Sequence, residues 1–355
     1  MEFDFTPEQY TLRDEARRFL EAQCPPSHVR EFIDDETGWS RDLWKRMADL
    51  GWMGLAFPED LGGLGQSFGD VTLLLGELGR AVAPVPFLAS LCAGQVVFRH
   101  GSVEQQRRWL PSVASGERIA TIVIVTPDAA VVNASASGDG WVLKGETGPI
   151  LDAPAADMFV VAAHDGEGAR WFVAEEGVRV TPQLGFDRTR TIGRVAFDGA
   201  AAEPLSVGGL EPGSRVAVAA VCAEMVGVAQ KILDTTVEYS KVREQFGRPI
   251  GSFQAIKHKC AEMLTELEAS RSAAFYAGWS VDGDADDAAL AVAVAKSYCS
   301  EALAHLAGEG VQIHGGIAFT WEHDMHLYLR RIKSDEALFG DAAFHRERIA
   351  RLAGL

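Results

Sequence analysis

The sequence has no CxxC pair, and its five cysteines, Cys24, Cys92, Cys222, Cys260 and Cys299, are odd in number and scattered. That excludes a disulfide framework and a cysteine-built zinc site, and leaves the thiols of a reducing compartment. No uncharged apolar run reaches the length that spans a bilayer, so no membrane contact is expected. The opening MEFDFTPEQY has neither a basic start nor an apolar stretch; no signal peptide is expected and the chain reads as soluble and cytoplasmic. Basic residues are the scarce sign of charge: 33 Lys+Arg face 50 Asp+Glu, for a formal net charge of -17. This balance argues against a nucleic-acid surface. It does not exclude a small anionic ligand, which needs only local positive charge. No internal repeat or low-complexity segment is present.

What is present divides into three textures. The chain has 355 residues, of which 47% are hydrophobic, enough for two or three domains with real cores. Residues 1–118 read as a helical domain. Thr6-Pro7-Glu8-Gln9 and Ser102-Val103-Glu104-Gln105 have the spacing of capping boxes. The GGLG at 62–65 follows no strand and precedes no Lys-Ser/Thr, so it reads as a turn between helices and not as a phosphate loop. Residues 119–205 change to short Val-, Ile- and aromatic-rich runs between Gly, Asp and Pro turns, a small sandwich or barrel. After a linker at Leu205–Gly213, residues 206–355 are helical again. Helices are expected over Ser214–Val242, from Ser252 to the acidic VDGDADD (281–287), from there to Gly308, and over His323–Phe339, with a short last one over Asp341–Arg351. Four long helices in sequence predict a bundle.

Between the first two of these helices lies EYSKVREQFGRPIGSFQAIKHKCAEM (238–263). Arg243 offers a guanidinium, Phe246 an aromatic face, and Gln254 an amide that both donates and accepts, groups suited to an anionic, planar cofactor. Further on, Gln312-Ile313-His314-Gly315-Gly316 follows a helix, with glycines that let a backbone approach a ligand closely. Two other clusters read blandly. Glu322-His323-Asp324-Met325-His326 is an acidic helix start and not a metal site. Arg330, Arg331 and Lys333 form a solvated face or a subunit contact.

These segments, their order, and the spacing of LGW, GLAFPED and GGLG in the first domain resemble the acyl-CoA dehydrogenase family over nearly the full length. The resemblance implies an α+β multidomain fold: an N-terminal helical domain, a central β domain, and a C-terminal four-helix bundle that makes the dimer. It implies FAD as cofactor and an acyl-CoA thioester as substrate. It also implies that Arg243, Phe246, Gln254, Gln312, Gly315 and Gly316 reach across an interface to FAD bound by the neighbouring subunit.

The same resemblance exposes departures. The family's proton-abstracting glutamate takes one of two places, which fall here on Phe339 and on Ala217, and neither residue can accept a proton. The arginine beside the second place is Val218. Asp341, one residue beyond the Phe339-Gly340 pair, and Glu224, two turns after Ala217, are the carboxylates that could have taken over. Against those roles stand an N-cap for Asp341 and a buried ion pair for Glu224. The flavin-ring contacts of the β domain are eroded as well. Val125-Thr126-Pro127-Asp128 is one residue short of the family's Thr-Glu-Pro segment, and Gly148-Pro149-Ile150-Leu151 has neither Trp nor Thr where the family has both. Two expectations follow. One is a non-catalytic subunit that completes the FAD site of a homologous partner, similar to the short, degenerate subunits of heteromeric actinobacterial enzymes of steroid degradation. The other is a self-sufficient homodimer or homotetramer with a relocated carboxylate.

Overall fold

The structure is a computed structural model that describes residues 5–355 apart from 125, 127–131, 139 and 284. Six helices come first: α1 (Pro7–Gln23), α2 (Pro26–Glu31), α3 (Arg41–Asp49), α4 (Phe68–Arg80), α5 (Phe87–His100) and α6 (Val103–Ala114). Their starts are set by local chemistry. Gln9 N donates to Thr6 Oγ1 at 3.3 Å while Thr6 N donates to Gln9 Oε1 at 3.0 Å, and the pairs Ser67–Asp70 and Ser102–Gln105 repeat the reciprocal arrangement. Each box satisfies donors that a helix start leaves orphaned. The GGLG stretch is a turn: Gly62 and Gly65 have φ of 84° and 64°.

Seven strands follow: β1 (Ala120–Val123), β2 (Val132–Ser137), β3 (Gly140–Leu151), β4 (Met158–His164), β5 (Ala169–Ala174), β6 (Val178–Gln183) and β7 (Ile192–Pro204). β4 pairs with β2, β2 with β3, β3 with β7, β7 with β5, and β5 with β4 again, so the sheet closes into a small barrel. β1 runs parallel to β4, and β6 antiparallel to β7, outside that ring. β4 explains the unbroken apolar run in the sequence. Phe159 and Val161 point into the barrel with Leu143, Phe172 and Phe197, while Met158 and Val160 join the core shared with the helices. Both faces are buried, so both sets of alternating side chains are apolar.

The C-terminal part consists of α7 (Gly213–Val242), α8 (Gln254–Asp282), α9 (Ala288–His314), α10 (Met325–Ala337) and α11 (Ala342–Leu352). α7 has a mean hydropathy of 1.7 over its most apolar stretch, of which 89% is buried inside the protein. It is the central core helix. α4 crosses it backbone against backbone: a Cβ on Gly227 would stand 1.7 Å from Gly76 O, and one on Gly79 2.3 Å from Glu224 O. Two boundaries differ from the sequence reading. α9 does not stop at Gly308 but runs on to His314, because Gly310 lies where α9 touches α7, a Cβ there meeting Ile232 Cγ2 at 2.6 Å. α10 ends before Phe339, because Phe339 and Gly340 take φ of 58° and 97°. All five cysteines are free thiols, and Cys260 alone among them is not fully buried.

One buried histidine holds the linker between the β domain and α7. His100 Nδ1 donates to Val207 O at 3.2 Å, and its Nε2 accepts from Gly213 N at 3.0 Å. The second bond needs the neutral ring, and burial lowers its pKa from 6.5 to about 4. Below pH 6.5 the unfolded chain therefore takes up a proton that the folded chain refuses. The stabilisation is complete above that pH and is lost as pH falls towards 4, a change of ~3 kcal/mol. Urea unfolding between pH 7 and pH 4 is expected to show this loss, and a His100→Gln variant to lack that share of the pH dependence.

Candidate functional site

At the end of α7 the chain turns back through a two-stranded hairpin, β8 (Glu244–Gln245) and β9 (Arg248–Pro249). The two residues at its tip, Phe246 and Gly247, have φ of 55° and 78°. A two-residue hairpin of matching twist needs positive φ at both central positions, and Gly247 supplies one of them without strain. Phe246 supplies the other at a steric cost. Its ring is also 92% exposed, touched only edge-on by Phe253, at 6.1 Å between centroids. Phe253 in turn lies under the Arg248 guanidinium at 4.1 Å. The hairpin accounts for the positive φ, while packing among the described residues leaves the phenylalanine ring almost wholly in solvent. Arg243 stands at the base of the hairpin, where its carbonyl accepts from Ile250 N at 2.8 Å. Among the described residues its exposed guanidinium has no ion pair or side-chain hydrogen bond. Gln254, also exposed, opens α8 beside them.

The second segment arrives at the same end of the bundle. Gln312 is exposed on the last turn of α9. Gly315 ends that helix at φ 68° and ψ -149°, a conformation essentially confined to glycine. A Cβ added to Gly315 or Gly316 would meet nothing within 4 Å, so the backbone there faces open space. Tyr239, four residues before Arg243, stacks on His314 with ring centroids 4.4 Å apart. The structure thus places Arg243, Phe246 and Gln254 at the same end of the bundle as Gln312, Gly315 and Gly316, with Tyr239 and His314 in contact between the two segments. Their combination of one free cation, one bare aromatic face, amides and open backbone can hold an anionic, partly aromatic molecule.

The positions where a base would be required look inward. Ala217 and Val218 are buried in the apolar core. Phe339 is buried too, in the positive-φ turn after α10, and its carbonyl lies 3.0 Å from His345 Nε2. Asp341 is exposed and caps α11, its Oδ1 accepting from Phe344 N at 2.8 Å. Both oxygens of Glu224 are occupied: Oε1 accepts from Arg331 Nη1 at 3.1 Å, and Oε2 from Arg190 Nη2.

Glu224 is the middle of an alternating chain of charges. Arg190 Nη1 reaches Asp335 Oδ1 at 2.6 Å, and Arg331 Nε reaches Asp187 Oδ2 at 2.5 Å. Thr189 Oγ1 accepts from Arg331 Nη2 at 2.5 Å and donates to Asp187 Oδ1 at 2.6 Å. Burial opposes the charge on Asp187, but Arg331 and Arg190 outweigh it and hold its pKa below the ordinary carboxylate value. Burial pushes Asp335 up to about 7. Nearby, Lys296 is buried with its ammonium donating to Glu336 O at 2.8 Å and Ser300 Oγ at 3.0 Å. The buried ion pair weighed for Glu224 in the sequence is present, but the sequence reading missed the rest of the cluster and placed Arg331 on a solvated face or subunit contact; Arg331 has no exposed surface at all. A signal was present. Leu327, Tyr328, Arg331, Ile332 and Asp335 fall on one helical stripe, so Arg331 and Asp335 share the apolar face of α10.

On the β domain only Thr126 of the segment 125–128 lies among the described residues. In β3, Ile150 fills the barrel and Leu151 the helical core. Thr147 is committed to β7, donating to Val195 O at 3.3 Å and accepting from Val195 N at 3.2 Å. No aromatic ring or free hydroxyl stands at residues 148–151. Removing one member of the buried charge chain leaves its partners uncompensated, which costs about 3–5 kcal/mol. Arg331→Met is expected to lower the unfolding free energy by that amount, as measured by urea denaturation at pH 7.

The sequence matches two family models, "Acyl-CoA dehydrogenase, N-terminal domain" over residues 6–117 and "Acyl-CoA dehydrogenase, C-terminal domain" over residues 214–354. It is 34% identical over 330 residues to acyl-CoA dehydrogenase IpdE2 of Mycobacterium tuberculosis, covering 91% of this chain and 90% of that protein. Among solved structures, it superposes on a variant of the Tcur3481–Tcur3483 steroid ACAD with a TM-score of 0.93 at 30% identity, over 98% of both chains. The ChsE4–ChsE5 complex of M. tuberculosis gives a TM-score of 0.92 at 32% identity, over 100% of this chain and 99% of the other.

Proposed function

The chain belongs to the acyl-CoA dehydrogenase family, and from that premise we propose that it is the non-catalytic subunit of a heteromeric, FAD-dependent enzyme in which it completes the flavin site of a homologous partner. FAD is the family's cofactor, and when bound it takes up the hydride that leaves the β carbon of the acyl thioester. The residues of this chain fit one part of that cofactor. Arg243 offers charge to a pyrophosphate, Phe246 a flat apolar face, and Gln254, Gln312 and the Gly315–Gly316 backbone offer donors and acceptors at open positions. They do not fit the part that contacts a flavin ring within the same chain, where residues 148–151 read Gly-Pro-Ile-Leu.

The observation that carries the proposal is the strained, exposed Phe246 beside the uncommitted Arg243, set against positions 217 and 339 sealed in apolar core. A general base must reach the proton it removes. Glu224 is clamped between two guanidiniums and Asp341 is engaged as a cap, which disfavours the self-sufficient homo-oligomer. Exposed apolar residues within and next to the outward segments in sequence support a covering partner: Val242 and Phe246 in the first, Ile317, Phe319 and Trp321 just after the second. The two-chain ChsE4–ChsE5 complex makes a homologous subunit the partner class to seek. The steroid ACAD relative makes CoA thioesters of steroid fragments the substrate class to try first.

Purified alone, the chain is expected to carry little FAD and to transfer no electrons from any acyl-CoA. Co-purified with its partner, it is expected to give one FAD per two chains by absorbance. Arg243→Ala in this chain is expected to weaken FAD binding roughly ten- to hundredfold, the loss of a charge-assisted hydrogen bond. Full flavin occupancy and turnover by the isolated chain would overturn the proposal.

A further inference from the structure

The two flavin-contact segments lie far apart in sequence, one before α8 and one after α9, yet their relative position decides whether they grip one molecule. Three contacts fix the last turns of α7. On one side Gly310 lets α9 come close, since a Cβ there would stand 3.2 Å from Thr236 Oγ1. On another, Gly251 lets the return of the hairpin pack on the helix end, since a Cβ there would stand 2.9 Å from Ser240 O. Between them, the Tyr239 ring lies on the His314 ring at 4.4 Å and 22°. Its hydroxyl donates to His314 O at 3.4 Å. His314 Nδ1 donates to Gly310 O at 2.8 Å, which fixes the tautomer and the ring plane. The opposite ring atom, Nε2, is buried with no hydrogen-bond partner among the described residues. The edge of His323 closes the column at 4.9 Å, itself held by Met325 N donating to its Nδ1 at 3.1 Å.

A stack of this kind ties the backbone of residue 239, four before Arg243, to that of residue 314, one before Gly315. On the basis of the donor role proposed above, we infer that Tyr239 and His314 are positioning residues: their ring stack sets the spacing between the Arg243–Phe246 hairpin and the Gln312–Gly316 turn, so that both meet one bound flavin nucleotide. Neither ring needs to touch the cofactor. The stack acts by holding two ligand-contacting segments in register, and small misplacement of such groups costs far more than the local contact is worth. The chemistry required is ring on ring, so an aromatic substitute at either position keeps the link and an aliphatic one removes it.

FAD affinity of the complex, followed by flavin fluorescence, tests this without recourse to turnover. Tyr239→Leu and His314→Leu are each expected to raise the dissociation constant about tenfold, and the double variant to lose no more than either alone, because both remove the same link. Tyr239→Phe is expected to bind FAD as the parent does. Should Tyr239→Leu fail to fold, His314→Leu removes the stack from the α9 side and carries the test. A Tyr239→Leu complex that melts earlier but binds FAD unchanged, while Arg243→Ala loses it, would overturn the link and leave the donor role standing. FAD binding unaffected by Arg243→Ala would overturn the donor role and the link with it.

Discussion

Glu224 lies between two arginines, and the β domain and the C-terminal helices meet around it. Asp187 and Arg190 come from the connection between β6 and β7, Glu224 from α7, and Arg331 and Asp335 from α10. Buried ions of this kind are no stronger a glue than well-packed apolar side chains of the same volume. Their distinctive property is that only one arrangement leaves every charge compensated. The barrel has one register against the helices that pairs all five groups, and α7 is pinned in that register at its centre. From Glu224 to Arg243 the helix then runs ~28 Å as a rigid rod, so the place of the exposed hairpin is set by a cluster it never touches.

The chain is built asymmetrically about that rod. Everything towards its start faces inward: Ala217, Val218 and the sealed turn at Phe339 present aliphatic or aromatic carbon to other carbon. The hairpin beyond its end faces outward, with an aromatic residue held in an unfavourable backbone region and a guanidinium that has no carboxylate among the described residues, in a protein whose net charge is -17. Apolar groups bury themselves without help, whereas an exposed, strained Phe246 has to be maintained against its own energetics. A fold that keeps the second kind of residue and lets the first kind become ordinary core has its working surface on the outside.

Much of this was legible in the sequence, for reasons that can be named. Capping boxes at Thr6 and Ser102 announce helix starts because the reciprocal bonds are local. The outward segments at 243–254 and 312–316 could be recognised because an exposed guanidinium, ring and amides beside glycines form a pattern local in sequence, and a sandwich or barrel could be expected from short, turn-punctuated strands. What could not be read depends on contacts distant in sequence. Barrel and sandwich differ only in which strands close the ring, here through Phe172 opposite Pro204. Gly308 looked like a helix stop, but Gly310 two residues on serves close approach to Ile232, and a glycine announces neither use by itself. Arg331 looked like solvated charge because nothing adjacent to it in sequence declares the carboxylates that compensate it, Glu224 and Asp187, the latter 144 residues away.

The turn at Phe339 carries a consequence for how such a chain can change over time. Its backbone is left-handed, its side chain is packed in core, and Gly340 behind it is pressed on by the Phe344 ring, 2.5 Å from where a Cβ would stand. A codon change that returned a carboxylate to position 339 would bury an unpaired acid in an apolar site, where it stays protonated and destabilises the fold. Each neighbour that would have to move first is itself well packed, so every intermediate on the way back is less stable than the starting point. A carboxylate at this turn is therefore easy to lose and hard to bring back. On the donor role proposed above, this chain and its partner are ratcheted together: selection acts on the pair, and neither is lost or replaced alone.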